Sequence, residues 1–253
     1  MQSWAILSHS AKMVINNLNV AVRLAIPLIG AMVLSLLLFG QDVFNSSTEF
    51  TFDVETDEDL LSGIEVGFAS LIQAIAALWV AVAWHRYILL EEEPQGILPT
   101  FHVNRVLAYF GWGLLLAIII GVIATVVGGI GAILISFGGI GGLLGGAVIT
   151  VMIVFIIYFA SRVYVILPSA AIGQTLSLSQ AWAATRGYGG SIIVAYIFFI
   201  IAAIIGGLVV GLISALLGFV GTLMMMALNL ALIMVGMSFL TTIYGITVEN
   251  REI

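Results

Sequence analysis

The chain has no cysteine, which excludes disulfides, thiolate metal sites and cysteine nucleophiles. Charge is almost as scarce. Only 8% of the residues are charged and seven of the 253 are lysine or arginine, whereas about a quarter of a soluble domain is charged. So few bases make no stripe for nucleic acid, and none is expected as a partner. Four prolines leave long stretches free to run as helix. There is no phosphate-binding GxxxxGK loop, no GxSxG elbow and no histidine pair at helical spacing. ATPase and hydrolase chemistry therefore have no motif to stand on. No catalytic residue, metal or cofactor is expected.

What is present is apolar length. Hydrophobic residues make up 62% of the chain, and a spanning helix needs roughly 20 of them in a row. The runs predict an all-α, polytopic helical membrane bundle filling 1–253 as one membrane domain. About six spans are expected, near 20–40, 65–90, 105–127, 147–168, 190–217 and 220–247. The first reads as a retained helix rather than a cleaved signal. Residues 3–18 are too polar to span. Trp4, Leu7, Ala11, Val14 and Leu18 make one stripe, which suits an interfacial helix; packing against the bundle is the alternative. Residues 174–189 hold a second short amphipathic helix, capped by Ser177 or Ser179. The glycine-broken stretch 128–146 fits either extensions of its flanking helices or a re-entrant hairpin.

Orientation follows from the bases. Lys12 and Arg23 precede the first span, Arg86 and Arg105 bracket the second connection, Arg162 and Arg186 bracket the fourth, and Arg251 follows the sixth. Six spans put every base on one side, with both termini cytoplasmic. The other side holds eight acids, Asp42 to Glu65, mostly in an acidic outer loop at 41–64. Asp53, Glu55, Asp57 and Asp59 alternate as calcium ligands do, but Glu58 stands where the loop glycine belongs and Ile64 where the closing glutamate belongs. A solvated loop is the expectation. Each third of the chain also reads as a short helix, an outward span and an inward span.

The candidate sites are few. Arg86, Arg105, Arg162 and Arg186, with His85, lie on the basic side and are candidates for an anionic lipid headgroup, because arginine's planar fork suits phosphate oxygens. The alternative is snorkelling at helix ends. Gln73 and Asn229 lie roughly 12–14 Å below the outer end of their spans at 1.5 Å per residue, where a hydrogen bond between helices would act as glue. Gly138, Gly142 and Gly146, and Ala203, Gly207, Gly211 and Ala215, recur every four residues, as close-packing stripes do. The triplet Glu91-Glu92-Glu93 is unfavourable inside a helix C-terminus, so the second span should stop at or before Leu90, with one acid free to pair with Arg86 or Arg105.

The opening SWAILSHSAKMVINNLNVAVRLAIPL, the exit AWHRYILLEEEP, and the segments SRVYVILPSAAIG and LSLSQAWAATRG resemble a group of bacterial six-span inner-membrane proteins. That group is similar to the membrane domain attached to some glycerophosphoryl diester phosphodiesterases and to the YciC type. The resemblance covers most of the chain. It implies a helical bundle in the bacterial inner membrane and a link to lipids or the envelope, and it carries no catalytic residues. The expected function is non-enzymatic: binding membrane lipids or a membrane-protein partner (a second copy included), or aiding assembly. The alternative is a transporter of a small solute or lipid without mid-membrane acids.

Overall fold

The computed structural model describes residues 2–48 and 57–252, with side chains described for 2–40 and 63–252. Of the expected acidic loop, 49–56, with Asp53 and Glu55, lie outside the described residues, as do the side chains of Asp57 and Asp59; 41–48 and 57–64, expected as loop, are helical. Among the described residues the fold is all-helical, without a strand. Its helices are α1 (Gln2–Asn16), α2 (Leu18–Thr48), α3 (Asp57–Leu90), α4 (Val103–Ser136), α5 (Gly139–Val163), α6 (Ile166–Ile172), α7 (Leu178–Ala184), α8 (Gly189–Leu217) and α9 (Phe219–Thr247).

Six of these segments are long and apolar enough to cross a membrane: Leu18–Gly40, Gly63–Leu90, Val103–Ser136, Gly139–Ile172, Gly189–Leu217 and Phe219–Thr247. The protein is an integral, multi-pass membrane protein. Its spans pair as three hairpins, α2–α3, α4–α5 and α8–α9. The stretch 128–146 is continuous helix on both sides of a tight turn. Glycine permits that turn, because Gly138 and Gly139 take φ of 66° and 49°, a region that Cβ disfavours.

The hairpins are packed unequally. Only 6% of the most apolar window of each of the α4 and α5 spans is buried, against 33% for the α2 and α3 spans. The α4–α5 hairpin therefore presents most of its surface to the membrane, where apolar side chains need no partner. The core lies instead at the end of the bundle that carries both termini and the bases, here the basic end. There Trp84, Ile166, Ile192, Ile243 and Tyr244 are buried almost completely.

Two short helices complete the basic end. α1 packs on α8 and α9 through Ile6, Leu7, Ser10 and Val14. Trp4, Ile15 and Leu18 stay exposed, so the predicted stripe is only half inward. α6 breaks from α5 at Tyr164–Val165 and turns into the bundle. Every residue of it except Leu167 is buried, against α3, α4 and α9. It stops at Gly173, which takes the left-handed φ of 86° usual for a residue just past a helix end. α7 opens with a reciprocal capping box between Ser177 and Gln180.

Candidate functional site

The basic end gathers the candidate arginines, and their partners sort them. Arg86 leaves the last turns of α3. Its Nε and one terminal nitrogen lie 2.8 and 2.5 Å from Glu92 Oε2, and its other terminal nitrogen donates to Ala171 O of α6 at 3.3 Å. Glu92 is free to turn back because α3 ends at Leu90 and Glu91 takes a left-handed φ of 56°. The other oxygen of Glu92 accepts from His102 Nε2 at 2.6 Å. Arg23 grips the same connection, donating to Pro94 O and Gly96 O at 3.2 and 2.9 Å.

Partial burial works to raise the Glu92 carboxyl, but the hydrogen bonds and charges of His102 and Arg86 outweigh it and hold the group below its usual 4.5. A depressed carboxylate contributes stability that is complete above its unfolded value and is lost as pH falls through the lower folded value. Stability of the wild type should therefore fall with acidification below about pH 4.5. Glu92→Gln should flatten that slope in thermal unfolding measured in detergent. Equal slopes would show that the contact does not hold the loop.

Arg162 is 6% exposed and has no carboxylate partner among the described residues. Its guanidinium stacks 3.8 Å from the Trp182 ring centroid and 5.6 Å from that of Tyr158. Its nitrogens reach Thr185 Oγ1 at 3.0 Å, Tyr158 Oη at 3.0 Å and the Trp182 carbonyl. A ring-stacked, fully engaged arginine pins α7 to the end of α5, which neutral acceptors and aromatic faces make tolerable. Arg162→Lys keeps the charge but not the fork or the stacking. It should lose about 2 kcal/mol of stability and expose 174–188 to proteolysis; unchanged protection would reject the pin.

Arg251 donates to Ile88 O and Leu89 O at 3.4 and 3.3 Å and pairs with Glu249. Four arginines are thus engaged with backbone carbonyls: Arg86, Arg162 and Arg251 at helix C-termini, where cations also suit the dipole, and Arg23 in the loop. Lys12 and Arg186 are exposed, without a hydrogen-bond or ion-pair partner among the described residues. Arg105 is half-buried and likewise lacks an acceptor. Its guanidinium lies flat on Gly173. A Cβ built there would fall 2.5, 2.6 and 2.7 Å from its Cζ and two terminal nitrogens.

His85 is fully buried and touches one helix from each of the other two hairpins. Its Nδ1 lies 2.8 Å from Thr241 Oγ1 on α9, and its Nε2 lies 3.4 Å from Tyr109 Oη on α4. Thr241 donates its own proton to Met237 O at 2.8 Å. With that proton so placed, its oxygen accepts from His85 and the ring proton sits on Nδ1. Nε2 is left to accept from Tyr109. The result is a directed chain of neutral hydrogen bonds that ties the three hairpins together.

Gln73 and Asn229 are both half-buried, on α3 and α9, which pack together. Among the described residues Asn229 makes no side-chain hydrogen bond. Sequence reasoning did not single out Tyr109, Thr241, Gly173 or the partners Thr185 and Trp182. Only Gly173 left a signal, as the glycine that follows an apolar turn. Compared with protein-family models, curated proteins and solved structures, the chain matches none.

Proposed function

We propose that this chain is a non-enzymatic protein of the bacterial inner membrane, with both termini cytoplasmic, that binds lipid or a membrane-protein partner, or aids assembly, at its basic end. The observation that carries the reading is the closure of that end. α6 fills the space between α3, α4 and α9 with buried side chains, so the basic end offers a rim to bind at rather than a mouth to pass through. The rim has room. Clefts of about 240 and 540 Å³ lie between α1, the starts and ends of neighbouring helices, and the C-terminal tail. Two of the three histidines are engaged within the protein, His85 between hairpins and His102 on Glu92, while His9 lines the smaller cleft. The likeness of the helix exits to a phosphodiesterase membrane domain agrees with a lipid setting. Arg23, Arg86, Arg105, Arg162, Arg186 and Arg251 on one side support cytoplasmic termini.

A second reading, a transporter, draws on the break between α5 and α6 within the span Gly139–Ile172, since interrupted helices line many transport paths. Native mass spectrometry of the full-length protein released gently from membranes separates the two. Retained phospholipid or a second polypeptide is the expected result. Protein that emerges bare, yet carries solute across liposomes, would favour transport. A C-terminal reporter that is active only outside the cytoplasm would overturn the orientation.

A further inference from the structure

We infer that Arg105, laid on Gly173, is a seat for a phosphate group at the basic end, presented either by a lipid headgroup or as free phosphate. This names a site for the lipid-binding reading above and rests on it.

Arg23, Arg86, Arg162 and Arg251 already donate to carbonyls. Lys12 and Arg186 lack acceptors but are exposed to solvent. Arg105 alone combines partial burial, a defined position and nitrogens without an acceptor. A half-buried guanidinium without an acceptor is unfavourable unless something supplies oxygens. Arg105 also stands in the first turn of α4, which holds no acid, so its charge opposes the helix dipole. An anion would relieve both penalties.

The chemistry points to phosphate. A guanidinium held by one face keeps its edge free, and that edge is the planar fork that takes two phosphate oxygens together. Gly173 makes the pose possible: any side chain there would occupy the space of the guanidinium. The acids nearest in sequence do not compete directly. Glu92 is taken by Arg86 and His102, and Glu91 and Glu93 are exposed and make no ion pair with Arg105. Arg105 lies two residues inside the span Val103–Ser136, the depth at which headgroup phosphates meet a helix start.

The test titrates the full-length protein in neutral detergent with phosphatidylglycerol, with a glucosyl diacylglycerol that lacks phosphate, and with inorganic phosphate. Binding is read by native mass spectrometry and thermal shift. Wild type should bind phosphatidylglycerol saturably and the glycolipid weakly. Arg105→Gln should weaken phosphatidylglycerol roughly tenfold, while Arg186→Gln should change it less than about twofold. Gly173→Ala, which keeps the charge but displaces it, should also weaken binding. Together with Arg105→Lys it carries the test if Arg105→Gln does not fold. Protection by phosphatidylglycerol alone assigns the seat to a headgroup; equal protection by inorganic phosphate assigns it to the free ion. Equal losses in the Arg105→Gln and Arg186→Gln proteins, or none in either, overturn the inference while leaving lipid binding intact. Wild type that binds no lipid overturns the parent reading as well.

Discussion

Gly145→Ala should destabilise the protein by about 2–3 kcal/mol, while Gly146→Ala, one residue on, should leave it unchanged or slightly more stable. A Cβ on Gly145 would lie 2.5 Å from the carbonyl oxygen of Gly131 and 2.8 Å from the amide nitrogen of Ile135. Both obstacles are backbone, so no rotamer change relieves them and α4 must move off α5. Gly131→Ala meets the Ile149 side chain at 2.6 Å, which can turn aside in part, so a smaller loss of about 1 kcal/mol is expected. A Cβ on Gly146 meets nothing within 4 Å, and alanine gains about 0.5–1 kcal/mol of helix propensity over glycine. Thermal unfolding of the three variants in one detergent checks the order. Equal midpoints for the 145 and 146 variants would mean that the helices do not cross here.

His85→Ala should cost about 3–5 kcal/mol, the range for deleting a large buried ring. It removes a side chain that reaches both α4 and α9 from α3 and leaves Tyr109 Oη without its nitrogen. The polarity of the chain predicts an order for milder changes. Thr241→Val takes away the acceptor of the short bond to Nδ1, and should cost about 1–2 kcal/mol. Tyr109→Phe removes only the 3.4 Å contact, which is near the limit of a hydrogen bond, and should cost less than about 0.5 kcal/mol. Unfolding free energies of the three proteins in denaturant decide it. If Tyr109→Phe proved costlier than Thr241→Val, the proton would sit on Nε2 and the chain would run the other way.

These two cases mark where sequence reasoning stopped. The four-residue spacing of Gly138, Gly142 and Gly146 predicts a close-packed face there. Yet a Cβ on Gly142 meets only Ile135 O, at 3.9 Å, and Gly138 and Gly146 face open space. The tight crossing is Gly131 on Gly145, with Gly141 close to Leu134 O as well. In α8 the stripe through Gly207 and Gly211 also faces open space, and the close approaches are Gly206 to Leu228 and Gly221 to Ser214. A four-residue spacing says that one face of a helix is smooth. It does not say which way that face turns, because the rotation of a helix about its axis is set by its neighbours. His85 shows the same limit. Its place beside Arg86 makes it a headgroup candidate, and only the convergence of α3, α4 and α9 makes it a junction.

The candidate site divides likewise. The gathering of Arg86, Arg105, Arg162 and Arg186 toward one end followed from their positions at span ends. Which of them has donors to spare did not, because Arg86 and Arg162 spend theirs on Ala171 O and Trp182 O, carbonyls of other elements that cannot be read from residue identity.

The six apolar helices, their pairing into hairpins and the end of α3 at Leu90 follow from the order of residues alone. Run length, connection length and the placement of Glu91 to Glu93 are one-dimensional properties, and each acts within a few turns of chain. The tertiary structure alone decided that α6 turns inward to close the basic end, that His85 joins three hairpins, and that Gly173 carries Arg105. Each of these depends on a helix azimuth or a bend at Tyr164–Val165, which packing fixes among surfaces that are all apolar and so look alike in the sequence.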